Sequence, residues 1–142
     1  MIRILFLCTG NSSRSQMAEG WVRHLKSDVL EAFSAGIEAH GVNPYAVQVM
    51  AEAGVDISQQ RSKTFDEFLD RNFTYVVTLC SHALENCPFF PGKARRVHRG
   101  FDDPVLLARD AGSDEEALVN FRRIRDEIRS FVEVMPEVLE TL

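Results

Sequence analysis

The chain opens on an unbroken apolar run, Ile4-Leu5-Phe6-Leu7, and then changes abruptly to Gly10, Asn11 and three serines. A run this short predicts a strand over residues 2–7, buried on both faces. From Ser15 onward Met17, Trp21, Val22 and Leu25 fall at the spacing of one helix face. Residues 29–35 predict a second strand, closed by Gly36. Asn43-Pro44 marks a helix start, with Asn as N-cap and Pro at the first helical position, and Gly54 marks its end. A short helix is expected over residues 65–71. The β-branched stretch 75–79 reads as a central strand. A short helix or turn at 81–87 is halted by Pro88, and a weaker strand follows at Arg95–His98. The last helix has the clearest pattern. Ser113 with Glu116 forms a capping box, and Leu118, Phe121, Ile124, Ile128, Phe131, Met135 and Leu139 recur at helical spacing.

Strands alternating with helices imply an α/β fold in three layers, a parallel sheet with helices on both faces. No repeat, low-complexity tract or linker divides the chain, so residues 1–142 are expected to form one domain. Parallel sheets bind ligands beyond the carboxyl ends of their strands, where the strand order switches direction. The loop after the first strand is therefore the place to look for chemistry.

Composition narrows the function classes. The chain is 45% apolar and 26% charged, ordinary for a soluble protein. Its net charge of −5 weighs against nucleic acid or an anionic membrane as partner. The opening apolar run is too short for a signal peptide or a membrane span, so a cytoplasmic, monomeric protein is expected. Three cysteines without an export signal read as thiols. His24, His40, His82 and His98 have no metal-ligand spacing and are assigned to surface or satisfied core positions. Arg122, Arg123, Arg125 and Arg129 share the last helix with acidic residues and are assigned to its solvated face.

The first loop reads Cys8-Thr9-Gly10-Asn11-Ser12-Ser13-Arg14-Ser15. A strand that turns through such a loop into a helix aims several backbone N–H groups, and the helix dipole, at one point. A tetrahedral oxyanion fits there, and Arg14 can hold two of its oxygens with its planar fork. The same environment favours the thiolate of Cys8 beneath the anion. Asn11 tolerates left-handed backbone, and Ser15 can donate to the Cys8 sulfur. Cys8 alone would read as a core residue; the Cys-x5-Arg-Ser spacing between strand and helix is what points to a nucleophile.

This loop, continued through Gln16-Met17-Ala18-Glu19, resembles that of the low-molecular-weight tyrosine phosphatases, and more closely that of the thioredoxin-coupled arsenate reductases sharing their fold. Ser34-Ala35-Gly36, Gly41-Val42-Asn43-Pro44, Val77-Thr78-Leu79-Cys80, Cys87-Pro88 and Gly100-Phe101-Asp102-Asp103-Pro104 extend the resemblance along nearly the whole chain. It implies a four-stranded parallel sheet of flavodoxin-like or phosphatase type. By that match Cys8 is the nucleophile and Arg14 the oxyanion binder, with Thr9, Gly10, Asn11, Ser12, Ser13 and Ser15 completing the loop. Asp103, held extended by Pro104, is then the general acid, and Asp102 a solvated neighbour. No cofactor or metal is expected; the ligands are arsenate, or phosphate and sulfate as analogues.

Cys80 and Cys87 separate the two branches of the resemblance. A phosphatase needs only Cys8, Arg14 and an acid, whereas a reductase must also supply two electrons. A relay does this: Cys8 attacks arsenate, Cys80 attacks the adduct and releases arsenite, and Cys87 attacks the Cys8–Cys80 disulfide. The resulting Cys80–Cys87 disulfide is open to thioredoxin. The alternatives are a phosphatase with two incidental cysteines, or a flavodoxin-like anion or nucleotide sensor. The Cys80–Cys87 spacing is atypical for zinc. Three positions depart from relatives. Ser13 replaces a second loop cysteine, which forbids a disulfide inside the loop. Lys63 replaces an acidic residue that helps hold potassium near Asn11, Glu19 and Ser34, and its ammonium is expected to take the ion's place. Val105 stands where many phosphatases carry an aromatic residue.

Overall fold

A computed structural model describes all residues, 1–142. Four strands, β1 (Ile2–Cys8), β2 (Leu30–Gly36), β3 (Tyr75–Thr78) and β4 (Arg95–His98), form one sheet in the order β2-β1-β3-β4, with every pairing parallel. Between them run α1 (Arg14–Leu25), α2 (Pro44–Glu52) and α3 (Ser81–Glu85); α4 (Pro104–Leu107) and α5 (Asp114–Glu133) follow. The three-layer α/β architecture read from the sequence is the one observed.

β1 explains its own apolar run. It pairs on both sides, and its side chains alternate between two cores. Ile4, Phe6 and Cys8 enter the larger, with Met17 and Trp21 of α1 and Phe121, Ile124 and Ile128 of α5. Leu5 and Leu7 enter the smaller, against Phe68, Phe73, Val76 and Phe90. The strand order makes β1 and β3 neighbours although β2 lies between them in sequence. Their carboxyl ends flank the switch point, which brings the loop after β1 beside Cys80 after β3.

Four points depart from the sequence reading. The short helix expected over residues 65–71 is a 3₁₀ segment confined to Phe65–Phe68. The two phenylalanines three apart eclipse in that geometry and both pack on the smaller core. The last helix stops at Glu133, because Pro136 can neither donate an N–H nor fit beside the preceding turn. Met135 and Leu139 still reach the core, the latter from a 3₁₀ segment, Glu137–Thr141. α4 was not expected, yet Asp103-Pro104 starts it as Asn43-Pro44 starts α2, a polar cap followed by proline. The arginines of α5 are not all solvated: Arg125 donates to the Val49 carbonyl at 2.9 Å, and Arg122 and Arg125 both bond Glu52. No helix is long and apolar enough to cross a membrane.

Candidate active site

The chain leaves β1 at Cys8 and enters α1 at Arg14 through a loop with one left-handed residue, Asn11, at φ 47°. Asn11 is fully buried and is the loop's internal tie. Its Oδ1 accepts from the Lys63 backbone N–H at 3.0 Å and from Gln16 at 2.9 Å. A backbone N–H can only donate, so the other end of the Asn11 side chain is the NH₂. That group donates to Ser15 Oγ at 2.7 Å and to Ser34 Oγ at 3.1 Å. Ser15 Oγ lies 2.8 Å from the Cys8 sulfur; against a thiolate, which can only accept, the hydroxyl is the donor. The Cys8 thiol is buried at the floor of the loop.

The backbone N–H groups from Gly10 to Gln16 have no backbone acceptor within the chain. They are thereby left free to donate, as the N–H groups of an anion-binding loop must be. The loop is held from outside by the segment after β2: Cys8, Thr9 and Gly10 carbonyls accept from Ile37, Glu38 and His40 at 2.8–3.0 Å. Gly36 makes this close approach possible, since a β-carbon there would collide with the Glu38 carbonyl and the Asn11 N–H.

A cleft of about 250 Å³ opens over the loop. Of the residues singled out in the sequence, Cys8, Thr9, Gly10, Ser12, Ser13, Arg14 and Asp103 line it. Arg14 is buried, and its guanidinium donates to the Phe101 carbonyl at 3.2 Å while lying 3.7 Å from Asp103 Oδ2. The other Asp103 oxygen caps α4 through Val105 N–H at 3.0 Å. The aspartate thus faces the cleft from a short helix that fixes its orientation. Asp102 turns away to Arg123, at 3.2 Å.

Asn11 and Ser15 lie behind the loop and support it. Cys80 and Cys87 are not in the cleft wall. Cys80 reaches its edge: the sulfur is 3.3 Å from Thr9 Oγ1 and accepts from Ala83 N–H at 3.4 Å as the N-cap of α3. Cys87 lies past the end of α3, half-buried, and burial pushes its thiol up, with Arg96 opposing. All three cysteines are free thiols.

Two of the histidines assigned to surface or core positions in the sequence border the site. His40 lines the cleft, its ring lying against Gly10 where a β-carbon would collide with it, and bonds Glu38 at 2.6 Å. His82 comes within 3.3 Å of Thr9 Oγ1. Both contacts join segments at least 30 residues apart, and nothing local marks them. Asn43, the N-cap of α2, also borders the cleft, and its N–H holds the Ser12 carbonyl at 3.0 Å. Beneath the loop, Lys63 is largely buried, with Nζ 4.0 Å from Glu19 and 2.8 Å from the Arg61 carbonyl. Burial lowers its pKa, against the pull of Glu19. Glu19 also accepts from Ser34 and pairs with Arg23.

Comparison with known proteins places this geometry. An arsenate reductase of Halalkalibacterium halodurans is 54% identical over 134 residues, 94% of each chain. A solved arsenate reductase in the phosphate binding state superposes with a TM-score of 0.79 at 29% identity, covering 99% of this chain and 98% of that one. A low molecular weight protein tyrosine phosphatase from T. tengcongensis gives 0.72 at 26% identity, over the whole of both chains. Residues 3–141 match the model of one family, and the chain belongs to it: the low molecular weight phosphotyrosine protein phosphatases.

Proposed function

We propose that the protein reduces arsenate to arsenite, with Cys8 as nucleophile and Cys80 and Cys87 as the dithiol that supplies the electrons. The observation that carries this reading is the position of Cys80, whose sulfur touches Thr9 at the edge of the oxyanion cleft. A phosphatase has no use for a second thiol there. The relatives of similar length named arsenate reductase point the same way.

In the first step the Cys8 thiolate attacks arsenic(V), and one arsenate oxygen departs as water, protonated by Asp103. Arg14 and the N–H groups of the loop hold the remaining oxygens as charge builds on them. The Cys80 thiolate then attacks the Cys8 sulfur. The sulfur–arsenic bond breaks, its electron pair stays on arsenic, arsenite leaves, and a Cys8–Cys80 disulfide remains. Cys87 attacks that disulfide at Cys80, freeing Cys8. Its burial in the reduced form disfavours the Cys87 thiolate, with Arg96 opposing. The Cys80–Cys87 disulfide passes to an external dithiol protein, thioredoxin, which restores the enzyme. This traffic in thiols suits the cytoplasm and needs one copy of the chain.

The test is arsenate-dependent NADPH oxidation in the presence of thioredoxin and thioredoxin reductase, run beside hydrolysis of para-nitrophenyl phosphate. Efficient arsenate turnover with slow ester cleavage is expected. The reverse ranking would return the protein to the phosphatases.

A further inference from the structure

We infer that the side-chain hydroxyl of Ser13 is itself a ligand of the oxyanion, donating to one of its oxygens beside the Arg14 fork; the inference rests on the oxyanion site proposed above. Ser13 stands at the N-cap of α1, where a serine ordinarily turns its oxygen back to accept from an N–H two or three residues on. The other α-helix caps behave in that way. Asn43, Cys80, Asp103 and Ser113 all accept such a bond from extended backbone. Ser13 instead has φ −124° and ψ −70°, and its side chain makes no cap bond.

The residue is only 4% exposed, and its oxygen is the one buried side-chain polar atom in the chain without a hydrogen-bond partner. Buried hydroxyls are ordinarily satisfied, and one left alone costs stability. Ser13 belongs to the wall of the cleft that also holds Cys8, Arg14 and Asp103. A turn of the side chain toward the cleft brings this hydroxyl, which has no acceptor of its own, to an oxygen of a tetrahedral anion seated there. The hydroxyl differs from the surrounding N–H groups in one respect: rotation about a single bond lets it follow the anion oxygen that needs it as the geometry at the central atom changes. Serine is suited to this where alanine is not, and a cysteine thiol of similar shape is a much weaker donor.

The probe is inorganic phosphate, titrated by calorimetry into the wild type, Ser13→Ala and Ser13→Cys, with thermal unfolding of each in the absence of anion. Ser13→Ala is expected to bind phosphate about tenfold more weakly, the usual loss for a hydrogen bond to a charged group. The KM for arsenate should rise by a similar factor. Its anion-free unfolding midpoint should hold or rise, because no hydrogen bond is lost. Ser13→Cys, kept reduced so that no disulfide forms with Cys8, should bind as weakly as the alanine variant, which separates the donor from the space it fills. Equal phosphate affinity in wild type and Ser13→Ala would overturn the inference while leaving the site standing. A lowered midpoint with unchanged affinity would also overturn it, making Ser13 a structural residue. Failure of the wild type to bind phosphate would refute the oxyanion site, and the inference with it.

Discussion

The Ser15 hydroxyl lies 2.8 Å from the Cys8 sulfur, held there by a bond from the Asn11 amide at 2.7 Å. Against the nucleophilic thiolate, which can only accept, this hydroxyl acts as the donor. Ser15→Ala should slow alkylation of Cys8 by iodoacetamide at neutral pH roughly tenfold. Mass spectrometry of the Cys8 peptide measures this, and arsenate turnover should fall with it. An unchanged alkylation rate would mean that the loop N–H groups alone activate Cys8.

The three thiols are expected to separate by role. Cys8→Ser should abolish arsenate reduction and ester hydrolysis together, since both begin at that sulfur. Cys80→Ser and Cys87→Ser should stop thioredoxin-coupled turnover and spare para-nitrophenyl phosphate hydrolysis. Wild-type rates of thioredoxin-coupled reduction in Cys87→Ser would break the relay.

Oxidation should dismantle α3. Cys80 caps its first turn and Cys87 lies two residues past its last, Glu85. The five helical residues lie between them, and a helical span of seven residues covers roughly 10 Å, whereas a disulfide allows at most about 7 Å between Cα atoms. The helix has five residues, with Pro88 and Pro91 beyond it, so few backbone bonds resist. Hydrogen exchange of residues 80–92 should be faster in the oxidised protein. Equal protection in both states would argue against a disulfide between these two positions.

Lys63 should leave a mark on the pH dependence of stability. Burial lowers its folded pKa below the ordinary lysine value of 10.5. Between the folded and the ordinary value the unfolded chain binds more protons, so stability rises with pH across that interval. At neutral pH the cost of the buried ammonium is complete and constant. Relative to Lys63→Met, the wild type should therefore gain stability as pH approaches 10.5 from below. Urea unfolding of both proteins across this range is the measurement; parallel curves would show that the ammonium is not desolvated. The same substitution should leave the neutral-pH phosphate affinity close to that of the wild type if Ser34 and Arg23 suffice to hold Glu19.

The sequence by itself determined the elements whose cause is local. The run at Ile4–Leu7 reads as a strand buried on both faces because it must feed two cores. The apolar period from Met17 to Leu25 and from Leu118 to Phe131 gives α1 and α5, and Asn43-Pro44 gives the start of α2. The Cys8-to-Arg14 spacing announces an anion loop because strand, turn and helix dipole are consecutive in the chain. Local reading fails where packing overrides period: the short helix expected over residues 65–71 is a 3₁₀ segment confined to Phe65–Phe68, whose two phenylalanines share one core, and Pro136 ends a helix whose apolar pattern continues. It also passed over α4, although Asp103-Pro104 carried the same cap-and-proline signal as α2. The tertiary structure alone decided the rest. The order β2-β1-β3-β4 sets Cys80 beside Thr9, 71 residues earlier. The return of the chain after β2 lays His40 against Gly10. The Lys63 N–H, 52 residues from Asn11, fixes which way that amide faces, and hence sets its NH₂ on Ser15 and Ser34. Such contacts depend on which strands become neighbours, and that is settled by burying apolar faces across the whole chain, beyond the reach of any pattern within one segment.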